Sequence, residues 1–459
     1  MILLLQGAAA DAPDRTAVVT PEGSATYGEL LRDAQHIAAG LRRRGITRFA
    51  LVEADAAWVI RLLAGAALAG AEPCQYQADT AGHELIEQAR ALGHSVVVTR
   101  RRDLDGSLDA VHPEDLAPGR AGEPEVASGP QPVTIRTTGT TGLPKAARHD
   151  WRVLARTVAG MRPRPEQRWL LAYGPHQFAG IQVLLHVVAS QATLVAPFPR
   201  QPRDGLDALV ADGVTCVSAT PTFWRFLLAE ARSRSVALPR LEQVTLGGEA
   251  SPAELLEELR AAFPDARVSQ VYASTEFGSI TSVNDGLPGI AVGALFSESN
   301  PTSNVRVEDG ELWVRGGGGM LGYAGEPDGG DSRAAIGEWR PTGDLVEIIG
   351  GRVLFRGRTS EVINVGGVKV HPLPVEERIS ALGSVALARV FGRPSALTGA
   401  IVAVDIVPAG GAGTADVQQI RREVQAAVAD LPRAWHPRSV TLVDTIETRG
   451  GKTVRGVEA

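Results

Sequence analysis

The sequence predicts an α/β protein: a large N-terminal domain of several subdomains with parallel sheets and a β-rich part, then a small C-terminal α+β domain. Short apolar runs that read as strands alternate with amphipathic stretches over the first two thirds of the chain, the pattern of βαβ units. From Val305 the texture changes to alternating runs joined by a tight Asp309-Gly310 turn, a hairpin signal. From about Glu361 a separate set of strands with one helix follows, so boundaries at 1–359 and 360–459 are expected.

The elements follow in order. Met1–Leu5 is a brief apolar run with no preceding Lys or Arg, short of a secretory signal, so an unprocessed chain is expected. Residues 31–44 have the spacing of an amphipathic helix stopped by Gly45. The small apolar segment at 65–70 lies among charges and is too short for a membrane span, which needs about 20 apolar residues. Val96–Thr99 predicts a strand and the polar stretch 101–131 a long connector. Val133–Arg136 predicts a strand feeding a Gly/Thr-rich loop, with a helix over Trp151–Met161. Further strands are expected at Trp169–Ala172, Thr193–Ala196, Thr215–Ser218, Gln243–Leu246 and Arg267–Val271. A second hairpin is expected to turn at Ile349–Arg352. The tail carries expected strands at Ala386–Phe391, Gly399–Ile406 and Ser439–Val443, with a helix over 415–430.

Composition narrows the function classes. The 459 residues carry 46 Lys+Arg against 52 Asp+Glu, a net charge of −6 without long basic runs, which argues against nucleic acid as a partner. No membrane partner is expected. Cys74 and Cys216 are too few for a disulfide framework or a cysteine-only zinc site; they read as core hydrophobes in a protein of the reducing cytoplasm.

The densest local signal is Thr137-Thr138-Gly139-Thr140-Thr141-Gly142-Leu143-Pro144-Lys145 after a strand. Its hydroxyls, flexible glycines and ammonium suit wrapping phosphate oxygens, although a surface turn fits these residues equally well. It lacks the spacing of the nucleotide P-loop, and Ala146 follows the lysine. The rest of the chain decides between the two. Tyr272-Ala273-Ser274-Thr275-Glu276 places a carboxylate and hydroxyls just past a strand, where open α/β sheets bind ligands. Thr342-Gly343-Asp344, Gly357-Arg358, Ile363–Pro372 and Gly450-Gly451-Lys452-Thr453-Val454-Arg455 follow. In this order the motifs resemble the adenylate-forming superfamily of acyl-CoA synthetases, peptide-synthetase adenylation domains and luciferases. Thr26–Leu30, Leu246–Ala250 and Gly310–Gly316 fit between them, so the resemblance runs from residue 26 to 455.

The resemblance implies two half-reactions: a carboxylic acid and Mg-ATP form an acyl-adenylate and pyrophosphate, and a thiol then displaces AMP. It implies that Thr137, Thr138, Gly139, Thr140, Thr141, Gly142 and Lys145 hold the leaving phosphates. Glu276, with Thr275, would serve magnesium, a hard cation that takes oxygen ligands. Gly248, Glu249, Tyr272, Asp344 and Arg358 would bind the nucleotide, Asp344 at the ribose and Tyr272 against adenine. Lys452 would stabilise charge on carboxylate and α-phosphate, on a mobile domain that rotates about Ser360. Gly366 and Gly367 would flank the tunnel for CoA or phosphopantetheine.

Three departures bear on specificity. Ser360 stands where the family's hinge has a charged residue, followed by Glu361. His176-Gln177 occupies the place of a Phe-His gate to the acyl pocket, which makes His176 a candidate gate. No aspartate near Tyr173–Gly180 matches the one that holds an amino acid's amine. A small-molecule acid without an α-amine is therefore expected, an aryl acid ahead of an aliphatic one. His149-Asp150 reads as a helix cap rather than a metal site. The alternatives are activation of an acid for a non-thiol acceptor, such as nitrite adenylated for an aryl amine, and a non-catalytic nucleotide-binding relative. A carrier protein and a homodimer are compatible partners.

Overall fold

The computed structural model describes residues 1–104, 106–116, 129–136, 145–197, 200–316, 319–325, 337–409, 416–446, 448–449, 452–453 and 455. Among these, two sheets with parallel cores lie on either side of a helical layer. The eight-stranded sheet runs in the order Gly278–Val283, Arg267–Ser274, Gln243–Gly247, Cys216–Ala219, Arg168–Leu171, Thr193–Val195, Thr16–Thr20, Gly23–Thr26. Its inner six strands are parallel and each edge strand is antiparallel. The seven-stranded sheet contains Glu72–Tyr76 and Arg48–Val52 at its parallel centre, with Pro132–Arg136 joined antiparallel to Ala146–Asp150.

The layer between them explains an unusual helix. Ala56–Ala69 buries side chains around its whole circumference, because it packs between Tyr27–Arg43 and the sheets rather than against solvent. Asp55 caps it through the Trp58 amide at 2.9 Å, and Gly70 ends it at φ 75°. A Cβ on Gly65 would lie 2.6 Å from Ile37 Cγ2, so the helices meet at that glycine. The first apolar run forms the helix Ile2–Asp11, whose Ile2, Leu5, Ala8 and Ala9 enter the same core. No described helix is long and apolar enough to cross a membrane.

The β-rich segment is a five-stranded antiparallel sheet in the order Ile290–Ala291, Arg352–Arg358, Trp339–Ile349, Glu311–Arg315, Val305–Glu308. Asp309 and Gly310 both take positive φ, 50° and 76°, the conformation of a two-residue type I′ hairpin turn. Beyond Thr359–Glu361 the chain builds a separate sheet from Ile363–Val365, Val368–Val370, Val385–Ser395, Gly399–Pro408 and Ser439–Leu442, with its own apolar cluster. The helices Pro372–Ser380 and Val417–Ala427 belong to this unit, and Lys452–Thr453 pairs with Thr448–Arg449 as a small hairpin.

Several elements differ from the sequence reading. The helix expected from residue 31 begins at Tyr27: Thr26 Oγ1 accepts the Glu29 amide at 3.2 Å, and Glu29 Oε2 accepts the Thr26 amide at 2.8 Å. The helix expected over Trp151–Met161 is a single turn, Trp151–Leu154, continued as a 3₁₀ turn to Val158. Thr157 Oγ1 there donates to the Leu154 carbonyl at 3.0 Å, and Gly160 turns the chain at φ 74°. The connector from 101 holds a strand, Asp109–Val111, and a 3₁₀ turn, Pro113–Leu116. Asp150 caps the following helix through the Arg152 amide at 2.9 Å, and both cysteines are buried.

The close helix approach makes a direct test. Gly65→Leu should overpack the layer and cost about 1–3 kcal/mol or more in denaturant unfolding. A wild-type midpoint in the variant would show that the layer can spread at no cost.

Candidate functional site

The carboxyl ends of the strands Gln243–Gly247 and Arg267–Ser274 open into a cleft of about 1100 Å³. Its opposite wall belongs to the unit beyond Ile363, through His371, Glu376, Thr453 and Arg455. Parallel-sheet crevices of this kind collect ligands because loops and amides converge there.

A buried carboxylate organises one side. Thr342 Oγ1 donates to the Leu312 carbonyl (2.7 Å) and accepts the Asp344 amide (3.1 Å), while Gly343 turns at φ 77° with its amide on Glu311 Oε1 (2.7 Å). This local folding explains the Thr-Gly-Asp order: hydroxyl, free backbone, then the presented carboxylate. Asp344 is the cross-strand partner of Arg358, whose Nε donates to Oδ1 at 2.9 Å. Tyr272, from the other sheet, donates its hydroxyl to Oδ2 at 2.6 Å. Burial and the Asp344 carboxylate push the Tyr272 hydroxyl well above its ordinary range, so it remains a donor. The Tyr272 ring lies 5.2 Å from that of Phe355, both lining the cleft. Each Asp344 oxygen keeps acceptor capacity beyond its single bond here, which suits two neighbouring hydroxyls.

Gly248 and Glu249 form the adjacent wall, Gly248 at φ 87°. Glu249 Oε2 accepts the Thr222 amide (3.1 Å) and Oε1 accepts the Thr453 amide (3.0 Å), across 204 residues of sequence. The strand of Lys452 is thus held against the cleft. Arg455, shortly after it, donates Nε to Glu376 Oε2 at 2.8 Å and makes a second, close bond to Oε1.

Glu276 and Thr275 follow the strand of Tyr272 but do not line this cleft. The Glu276 carbonyl accepts the Met320 amide at 3.2 Å, and a Cβ on Gly319 would come within 2.3 Å of it. Tyr323 donates to Glu276 Oε1 at 3.4 Å, and Lys145 Nζ lies 5.1 Å from the centre of the same ring. Tyr323 therefore joins two expected site residues; a lone tyrosine in a Gly-rich stretch gave no sequence signal. Thr137, Thr138, Gly139, Thr140, Thr141 and Gly142 lie outside the described residues.

Other expected positions stand apart from the cleft. His176 is folded against Gly174, and burial together with Arg200 and Arg136 lowers its pKa to about 4. Beside it, Gln177 Oε1 accepts the Gly174 amide at 2.8 Å. Ser360 is exposed in the Thr359–Glu361 turn. Gly366 and Gly367 form an exposed hairpin tip at φ 58° and 88°, with neither lining the cleft. Among the described residues no group of three His, Cys, Asp or Glu could cage a metal. One carboxylate, as Glu276 offers, is compatible with a magnesium ion that brings phosphate and water ligands with it, since this ion is usually held through one or two carboxylates.

Where the two units face each other, burial raises the Glu377 carboxyl to about 7. Arg356 and Arg225 only partly offset this, and Glu376 and Glu254 add to it. The folded chain therefore keeps a proton that a free carboxyl loses near 4.5, and stability falls as pH rises from there to about 7, then stays level. Glu377→Gln, always neutral, should melt higher than wild type at pH 8 and equally near pH 4.5. The same difference at both pH values would mean that Glu377 does not titrate in this window.

A family model described as AMP-binding enzyme matches residues 5–324, well over half of the chain. Isonitrile lipopeptide synthase of Streptomyces coeruleorubidus is 29% identical over 485 aligned positions, covering 95% of this chain and 32% of that protein. The chain thus spans about a third of that relative's length. 2-Succinylbenzoate–CoA ligase of Bacillus subtilis is 25% identical, covering 83% of this chain and 82% of that one. Among solved structures, o-succinylbenzoate CoA synthetase of Bacillus subtilis, in complex with its acyl-adenylate, matches with a TM-score of 0.78. It is 21% identical, and the match covers 99% of this chain and 97% of that one, a likeness of fold. The same protein has been solved with ATP and a magnesium ion. The family match over residues 5–324, on the fold and motif order already described, establishes that the chain belongs to the AMP-binding enzymes of the adenylate-forming superfamily.

Proposed function

We propose that the chain activates a carboxylic acid with ATP and passes the acyl group to a thiol, of CoA or of a carrier protein's phosphopantetheine. One observation carries this reading: a single cleft holds the Tyr272–Asp344–Arg358 constellation and, through Thr453, the strand of Lys452. In the first step a carboxylate oxygen bonds to the α-phosphorus of ATP and the bond to pyrophosphate breaks. In the second, a thiolate sulfur attacks the acyl carbon and AMP leaves.

The residues divide this work. Asp344 accepts the ribose hydroxyls, with Tyr272 and Arg358 holding it oriented. The Tyr272 ring and Gly248 border the base. Thr137–Gly142 and Lys145 take the β and γ phosphates, and Lys452 meets charge on the α-phosphate and the attacking carboxylate. Magnesium at Glu276, when bound, neutralises phosphate charge; Thr275 and Tyr323 flank that carboxylate. For the acid we favour one without an α-amine, because no aspartate near Tyr173–Gly180 matches the one that holds such a group, and among these acids an aryl acid. We take 1–359 and 360–459 as the two moving parts, with exposed Ser360 between them. The exposed Gly366-Gly367 tip and the docked Lys452 strand sit on one unit, which supports a rotation that exchanges them.

Two substitutions separate these roles. Lys452→Ala should slow adenylate formation by orders of magnitude while thiolysis of supplied acyl-adenylate survives; equal losses in both steps would remove Lys452 from the first. Glu276→Gln should raise the magnesium concentration needed for half-maximal rate with little change in melting temperature. An unaltered magnesium titration would make Glu276 a structural carboxylate. The acceptor is read by mass spectrometry of products from an aryl-acid panel with ATP and CoA, a phosphopantetheine-loaded carrier, or nitrite plus an aryl amine. Thioester products support the proposal; a diazotised amine without any thioester would replace it.

A further inference from the structure

We propose that Glu249 is a positioning residue that latches the Lys452 hairpin onto the active-site cleft for the first half-reaction, an inference that rests on the adenylation reading above. Glu249 lines the cleft beside Gly248 with both of its carboxylate oxygens engaged. Here both accept backbone amides, one from each side of the cleft: Thr222 at 3.1 Å and Thr453 at 3.0 Å.

The Thr222 contact is a demand of the helix Pro221–Ser233. First-turn amides have no acceptor within their own helix. Pro221 has no N–H to satisfy, and the Thr220 hydroxyl accepts the Phe223 amide at 3.0 Å. The Thr222 amide is left to Glu249, at the positive end of the helix dipole. Oε2 is thus anchored from the N-terminal side, and Oε1 faces the cleft in a fixed place.

The Thr453 contact follows from the hairpin. Along an antiparallel strand, successive residues turn their amides alternately toward the partner and away from it. Arg449 pairs with Lys452 and Thr448 with Thr453, and the Thr453 amide goes outward to Glu249. Thr453 is itself buried at the cleft, 7% exposed, so this amide needs an acceptor when docked. Glu376 grips Arg455 on the other side of Thr453 and also accepts the Val390 amide at 3.0 Å, tying the segment to its own unit. The chain immediately after Lys452 is therefore gripped by two carboxylates, Thr453 by one that releases when the unit rotates and Arg455 by one that travels with it.

Hydrogen exchange of the peptide 446–455 reads the latch without turnover, and stopped-flow pyrophosphate release reads its consequence. Glu249→Ala should speed exchange in that peptide while peptides in the eight-stranded sheet keep wild-type protection. The adenylation rate should fall about tenfold or more, as expected for a lost charged hydrogen bond, with the KM for ATP within about twofold of wild type. Thiolysis of supplied acyl-adenylate should keep its rate. Glu249→Gln, with one acceptor oxygen left, should fall between. Unchanged exchange in a folded Glu249→Ala protein overturns the latch even if adenylation stands, and faster exchange supports it even in a protein that no tested acid turns over. A raised KM for ATP at unchanged kcat also overturns it, returning Glu249 to nucleotide binding.

Discussion

A buried carboxylate shared by two sheets is the constraint on which the site depends. Asp344 comes from the antiparallel sheet, and taking its charge out of water is costly unless it is bonded. Arg358 supplies one bond from the neighbouring strand, at 2.9 Å, and Tyr272 supplies the other from the eight-stranded sheet, at 2.6 Å. The two sheets are therefore held in register at the point where the cleft opens. Losing either donor would leave a buried charge short of a partner, which is more costly than losing the same bond at the surface.

The same principle recurs at each junction of the cleft. Glu249 serves an orphan helix amide and the hairpin of Lys452, and Glu376 serves Arg455 and a strand amide. Carboxylates join elements far apart in sequence, while the apolar clusters stay largely within each part: one around the helical layer, one beneath the second half of the eight-stranded sheet, and one in the C-terminal unit. The Glu249–Thr453 bond crosses between the parts, and a unit with its own apolar cluster can shift there without exposing that core, as the proposed rotation requires.

Much of this was legible in the chain because the signals are local. The Asp309-Gly310 hairpin and the Asp150 cap depend on residues within a few positions of each other, whereas the Thr-Gly-Asp turn also leans on Leu312 and Glu311, 30 and 32 residues away. The strand positions expected in the eight-stranded sheet hold to within a residue or two at most ends, although Arg267–Ser274 runs three residues further than expected. The failures have equally local causes or none at all. A capping box extended one helix, and a threonine back-bond with a left-handed glycine shortened another. Tyr323 beside Glu276, and Glu249 beside Thr453, are visible only once 47 and 204 residues of chain have folded back. No periodicity reports such pairs.

The structure carries the Lys452 strand against the cleft while the Gly366-Gly367 tip faces solvent, the arrangement that the first step as proposed would use. The most direct test is acid-dependent exchange of labelled pyrophosphate into ATP with no thiol present. The account predicts exchange that requires the acid and magnesium and that is lost in Lys452→Ala. Exchange absent from a folded, ATP-binding protein across acids that it converts to product once CoA is added would contradict it, because activation would then not precede the thiol.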